Sequence, residues 1–197
     1  MDFLWRRRAA RIVRGWRHER ILDLATGSGD LALTLAKHCP GSEITGADFC
    51  LPMLLQAKAK GVERLVVADG MRLPFDDGTF DVITVAFGLR NMESWPGALR
   101  EMSRVLKEGG HVLVLDFSIP ENVVFGRIYR AYLHHVLPRI AGLVKREKSA
   151  YDYLADSIEK FPRGSGMTSL MEANGFREAS REPLTGGIVS LYTGRRG

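Results

Sequence analysis

Arg20-Ile21-Leu22-Asp23-Leu24-Ala25-Thr26-Gly27-Ser28-Gly29-Asp30 is the stretch that decides the fold. Its apolar run has the composition of a buried strand and ends at Ala25. A tight Gly27-Ser28-Gly29 turn follows, and Asp30 to Lys37 reads as a helix. Strand, glycine turn and helix opening make the nucleotide cradle of an open α/β sheet. Gly27 can take backbone angles closed to other residues, and Gly29 is expected to let the main chain approach a ligand.

The cradle alone does not name its ligand, because Gly27 to Ala32 also satisfies the loose dinucleotide pattern G-x-G-x-x-A. Two acids sharpen it. Asp48 ends the next apolar run, Glu43 to Asp48, where a carboxylate can accept both hydroxyls of a ribose. Asp69 ends the third run, Leu65 to Asp69, where an acid can receive an adenine amino group. Glycine loop, ribose acid and adenine acid on consecutive strand ends resemble the S-adenosylmethionine site of a class I methyltransferase. A nicotinamide cofactor is the competing reading, and no second mononucleotide-binding half follows to support it.

With 197 residues, the length prior gives a single domain with room for a substantial core. No apolar run approaches the ~18 residues of a membrane span, and the arginine-rich start lacks the apolar core of a secretory signal. Cys39 and Cys50 form neither a disulfide framework nor a zinc pattern, and no metal is expected. The chain is therefore expected in the cytoplasm, with both thiols reduced. The net charge of +5 is local. Residues 1 to 20 hold seven arginines against Asp2 and Glu19, and the rest of the chain balances. No nucleic-acid surface is implied, and no Asn-Pro-Pro-Tyr-type base grip follows the fourth strand.

Trp5, Ala9, Ile12, Val13 and Trp16 share one helical face within residues 1–18. Arg7, Arg8, Arg11 and Arg14 fall on the other side, as a solvated face or one that meets anionic lipid. Leu51 to Lys60 reads as a helix with Pro52 in its first turn, and Phe80 to Ala86 as a buried fourth strand. Ser94 is placed as the N-cap of a helix through Leu106 that Gly109-Gly110 closes, before a fifth strand from His111 to Phe117. Strands alternating with helices argue a doubly wound, mostly parallel sheet. Residues 119–162 interrupt that alternation with helices, broken at Pro138, beyond the carboxyl ends of the strands, where a substrate cover would lie. A helix from Thr168 to Asn174, capped by Gly175, leads to an antiparallel hairpin of Phe176–Pro183 and Gly187–Thr193. That ending suits a class I methyltransferase and not a six-strand dehydrogenase sheet.

Phe87-Gly88-Leu89-Arg90-Asn91 makes the resemblance specific. With it come Leu113 to Ser118, Val136-Leu137-Pro138-Arg139-Ile140, Tyr151 to Leu154, Ser157-Ile158, Phe161-Pro162 and Leu184 to Val189. Together they resemble the ubiquinone/menaquinone biosynthesis C-methyltransferase family, from about Trp5 to the chain's end. The resemblance implies a Rossmann-like class I sheet and S-adenosyl-L-methionine as cofactor. Position by position it places cofactor contacts at Ser28, Asp48, Asp69, Gly70 and Ala86. The wider candidate set adds Asp23, Gly27, Gly29, Phe49, Met71 and Phe87. Asp69 stands where the family often has asparagine, Ala86 where it has serine, and Thr26 where it has glycine. The family's Tyr-Asp-x-Met-Asn segment, which helps close the site, would lie ahead of Met1.

Carbon methylation needs an electron-rich ring carbon, which an ionised ring hydroxyl supplies, in line with the methyl donor. Arg90 can stabilise that oxygen because it stays charged. Water or Asp116 can take the proton; His111, His134 and His135 qualify by chemistry but read as structural. Arg90, Asn91, Tyr129, Tyr132 and Tyr153 are the candidate substrate contacts, the tyrosines suiting a ring with an isoprenoid tail. The expected reaction is methylation of a prenylated quinol, demethylmenaquinol first and the ubiquinone precursor second. Another small-molecule or lipid methyltransferase and a noncatalytic cofactor-binding subunit are the alternatives. Expected partners are the quinol, the inner face of the cytoplasmic membrane as a peripheral contact, and a second copy or a biosynthetic complex.

Overall fold

The structure, a computed structural model, describes residues 2–136 and 148–197. Seven strands form one sheet in the order β3-β2-β1-β4-β5-β7-β6. They are β1 (Arg20–Leu24), β2 (Glu43–Asp48), β3 (Arg64–Val67), β4 (Phe80–Ala86), β5 (Leu106–Phe117), β6 (Phe176–Leu184) and β7 (Val189–Arg196). The first five pair in parallel, and β7 runs antiparallel to both β5 and β6. From β1 the chain builds outward to β2 and β3, then returns to lay β4 and β5 on the other side. That reversal opens a crevice at the carboxyl ends of β1 and β4, the switch point where open α/β sheets bind ligands.

Burial explains the strands. All of β4 from Phe80 to Val85 is buried, as an interior parallel strand covered on both faces must be. On one face Leu22, Leu24, Ile83 and Val85 pack with Leu99, Met102 and Met171. On the other, Ile21, Val82, Leu113 and Leu115 meet Ala9, Val13, Leu31 and Leu35.

The first four helices are α1 (Asp2–Arg14), α2 (Asp30–His38), α3 (Leu51–Ala59) and α4 (Trp95–Val105), of which α1, α2 and α4 supply most of those contacts. Ser94 caps α4 as expected, its hydroxyl accepting from Gly97 N at 3.1 Å. Gly109-Gly110 do not close that helix. They lie inside β5, with Gly109 at φ 73° and a register shift against β4 between Phe80 and Val82. The glycines serve an irregular strand start, which looks like a helix stop in sequence.

α1 is shorter than expected, and Trp16 lies beyond its end, stacked on His111 with ring centroids 4.5 Å apart. Arg8 is not free on the solvated face. Its Nε and Nη2 donate to both carboxylate oxygens of Glu182 at 2.8 Å, tying α1 to β6. Trp5 Nε1 adds a bond to Thr185 Oγ1 at 2.8 Å in the hairpin turn. That turn needs its glycines: Gly186 sits at φ 68°, and a Cβ there would meet the Phe125 ring at 2.9 Å.

After β5 come α5 (Val123–Ala131), a wide turn at Tyr132–Val136, and α6 (Lys148–Lys160). They hold a small core of Ile119, Tyr129, Leu133, Ala155 and Ile158. The expected break at Pro138 and the Leu137 to Ile140 part of the family segment fall outside the described residues. α7 (Ser165–Glu172) starts a turn earlier than the sequence suggests and leads into β6.

Candidate active site

Two strained strand ends shape the crevice. Ala25, just past β1, has φ 53°, and Phe87, just past β4, has φ 58°. Neither is glycine, so each sits in a region L-residues avoid, at ~1 kcal/mol or more apiece. They are packed together. A Cβ on Gly88 would lie 2.4 Å from the Ala25 Cβ, so only glycine at 88 lets the kinks nest.

Beneath the first kink, Asp23 is fully buried and accepts from Thr26 Oγ1 at 2.6 Å and Thr84 Oγ1 at 2.8 Å. Burial pushes its carboxyl up to about 6, although both hydroxyls pull it down. Asp23 therefore braces the loop from below and does not line the cavity. Gly29 is also out of it. At φ 82°, its missing Cβ would fall 2.6 Å from Val62 Cγ2 and 3.0 Å from Ala57 Cβ. This glycine lets α2 pack against the end of α3; the close approach it permits is to protein.

The cavity itself is open and about 650 Å³, a size that suits a nucleoside ligand with a side chain. The candidate cofactor contacts Gly27, Ser28, Asp48, Phe49, Asp69, Gly70, Met71, Ala86 and Phe87 line it, and so does Asn91, a candidate substrate contact. Asp48 accepts Gly27 N and Cys50 N, each at 2.8 Å, which fixes both oxygens and leaves each a second lone pair. Asp69 is exposed, and among the described residues its carboxylate accepts only from Met71 N, at 2.9 Å, through Oδ1. Its Oδ2 is open to an amino group. Lys60 Nζ donates to Ser28 Oγ at 2.8 Å and Asp30 Oδ1 at 2.7 Å, bridging loop and helix start and holding the Asp30 carboxyl below its usual range.

The Leu89–Asn91 turn carries a second network. Arg90 Nη1 donates to Asp116 Oδ1 and to Phe87 O, both at 2.7 Å. The pair is sealed in: the Arg90 side chain is 9% exposed and Asp116 not at all. Burial raises the Asp116 carboxyl, while Arg90 and the Phe117 amide pull it down. Asp116 thus anchors Arg90 and does not reach the cavity. Arg90 Nε is buried without a partner among the described residues.

Tyr153 of α6 reaches the cavity's rim, its Oη donating to Asn91 Oδ1 at 3.2 Å. Tyr129 is buried, with its hydroxyl pushed up to about 12 chiefly by burial. Tyr132 stacks beside it at 6.3 Å and stays half-exposed. None of the three tyrosines, nor Arg90, lines the cavity. His111 is held below its usual range by burial, and His134 pairs with Glu159 at 3.1 Å.

The family model described as the ubiE/COQ5 methyltransferase family matches residues 1–196. The chain belongs to that family. It is 45% identical to a demethylmenaquinone methyltransferase of Thermus thermophilus over 99% of this chain and 90% of that protein. It is 44% identical to the ubiquinone/menaquinone biosynthesis C-methyltransferase of Syntrophotalea carbinolica, over all of this chain and 84% of that one. Among solved structures, a SAM-dependent methyltransferase from Thermotoga maritima aligns with a TM-score of 0.71 at 18% identity, covering 99% of this chain and 89% of that one. The fold is that of class I methyltransferases, and this family member is a methyltransferase.

Several residues of the methyltransferase cavity carry no sequence motif. Arg6, Met53, Met92 and Glu93 all line it. Met92 has one visible trace: Gly70 lacks a Cβ where one would lie 2.9 Å from Met92 Cε.

Proposed function

We propose that this chain methylates a ring carbon of a prenylated quinol, demethylmenaquinol before the ubiquinone precursor, with S-adenosylmethionine as donor. The observation that carries the proposal is the buried Arg90, paired to Asp116 and left with an unpartnered Nε, next in sequence to cavity-lining Asn91. The names of the Thermus thermophilus and Deinococcus radiodurans relatives, both demethylmenaquinone methyltransferases, support the ring. The cavity fits the donor: Asp48 would accept the ribose hydroxyls, Asp69 the adenine amine, and the Gly27 loop would lie along the tail.

When bound, the cofactor supplies a methyl on a positively charged sulfur. Arg90 steadies the ionised hydroxyl beside the attacking ring carbon, and Asp116 holds the guanidinium in place. The proton of the methylated ring carbon would leave to water, since Asp116 is buried and paired to Arg90. Residues 119–162 act as the substrate cover, with Tyr129, Tyr132 and Tyr153 near the ring and the start of its tail. α1 meets the anionic membrane that holds the quinol, through Phe3 and Leu4, each more than half exposed, and Arg7, Arg11 and Arg14 on the same face.

The test is labelled-methyl transfer to demethylmenaquinol, run beside the oxidised quinone and a ubiquinone precursor. Only the reduced rings can attack an electrophilic methyl. Arg90→Ala should cost on the order of 100-fold in turnover with cofactor affinity nearly intact. Because Asp116 would be left buried and unpaired, Arg90→Ala/Asp116→Asn is assayed as well. Arg90→Lys should recover part of the loss. Full activity of the alanine variants refutes the role, and transfer to none of the quinols refutes the reaction.

A further inference from the structure

The cavity is acidic. Asp30, Asp48, Asp69 and Glu93 line it, and among the described residues Arg6 is the only Lys or Arg that does. Lys60, the nearest other cation in the loop network, is spent on Ser28 and Asp30. A ligand with an adenosine head and an amino-acid tail offers donors to these acids through its amine, ammonium and ribose. Its carboxylate has the opposite need, and an acid-lined cavity repels it unless a cation answers.

Arg6 is placed to answer. It lies three, four and seven positions before Ala9, Ala10 and Val13, all fully buried, so it rides the inner face of α1. Its side chain is only 17% exposed, and its Cζ stands 5.6 Å from the centre of the Phe87 ring. It lines the cavity together with Gly27, Ser28 and Asp30 of the glycine loop. Among the described residues its one ion-pair partner is Asp2, which meets Nη1 at 2.6 Å from a largely exposed position. Nε and Nη2 remain for a ligand, in the planar fork that matches a carboxylate.

We propose that Arg6 binds the carboxylate of the cofactor's amino-acid tail, so that α1 closes that end of the cavity. The proposal rests on the S-adenosylmethionine reading above and is tested apart from it. Calorimetry compares wild type, Arg6→Gln and Arg6→Lys with two ligands, S-adenosylmethionine and its decarboxylated analogue, which differ only in the carboxylate. Arg6→Gln should weaken S-adenosylmethionine about 10- to 100-fold, the range of a charge-assisted hydrogen bond. The analogue, one unit more positive, should bind the variant as well as wild type or more tightly. Arg6→Lys should fall between. Equal S-adenosylmethionine affinity in Arg6→Gln and wild type overturns the proposal. So does an equal loss for both ligands, which would mark a packing role for Arg6 over Phe87. Wild type binding neither ligand would instead overturn the cofactor reading itself.

Discussion

Gly88→Ala tests whether the nested kinks at Ala25 and Phe87 set the cavity's shape. Gly88 has φ −115°, an angle any residue accepts, so the backbone gives alanine no reason to fail. The obstacle is steric. The new Cβ would stand 2.4 Å from the Ala25 Cβ, and its next contact, Val85 Cγ1 at 3.5 Å, is ordinary. Relief requires the two strand ends to part by about 1 Å, and overpacking of this kind costs ~1–3 kcal/mol. Because Ala25 and Phe87 both line the cavity, cofactor affinity should fall with stability. Ala25→Gly removes the clashing atom and also suits φ 53°, offsetting much of what glycine loses to unfolded-chain entropy. The double variant Ala25→Gly/Gly88→Ala should therefore return close to wild type. Urea melts and calorimetry on the four proteins close the cycle, with an expected coupling of ~1–3 kcal/mol. A Gly88→Ala protein as stable as wild type, or a double variant no better than the single, would refute the reasoning.

The buried Asp23 makes stability depend on pH. With its carboxyl raised from 3.8 to about 6 in the fold, its contribution is full below pH ~4 and lost as pH rises through 6. The loss by pH 7 is about 3 kcal/mol. Asp23→Asn should flatten the unfolding free energy between pH 4 and 7 by about that amount relative to wild type, and parallel profiles would remove Asp23 as the source. Replacing Arg7, Arg11 and Arg14 with glutamine should weaken sedimentation with anionic liposomes, most at low salt, and leave Arg8→Gln protein binding normally. If the triple variant pellets as well as wild type, α1 has only a packing role.

Strand ends were legible because they combine two local signals, an apolar run and the residue that stops it. Asp48 and Asp69 were found this way, and both line the cavity. The same signals mislead where one residue type serves several ends. Gly29 and Gly27 look alike in sequence, yet one admits a neighbouring helix and the other faces the cavity. Gly109-Gly110 reads as a helix stop and works as a bulge. Gly88 could be seen in its motif, but its purpose lies in Ala25, 63 positions away, a pairing that no local pattern encodes. The motifs offered Asp23 as a cofactor contact and Asp116 as a proton acceptor, and neither lines the cavity. Their roles, bracing a loop and anchoring an arginine, depend on burial that the motif does not express.

The arginines of α1 show why charge is harder to read than hydrophobicity. An apolar side chain has one preferred fate, so helical spacing suffices to place Ala9 and Val13 inside. An arginine can sit on either side of that stripe, because its stem is apolar and only its head needs polar company. Arg8 stands at the boundary, and Glu182, 174 positions on, claims it. Arg7, Arg11 and Arg14 keep the outer face with Phe3 and Leu4. Arg6 turns inward, where Asp2 and the Phe87 ring receive its head beside the acids that line the cavity. Helical phase alone would have set Arg6 apart, since it shares the side of Ala9, Ala10 and Val13. A cation on the apolar side of an amphipathic helix needs an anion to meet it. That mismatch is the signal in the sequence that points from α1 to the cavity.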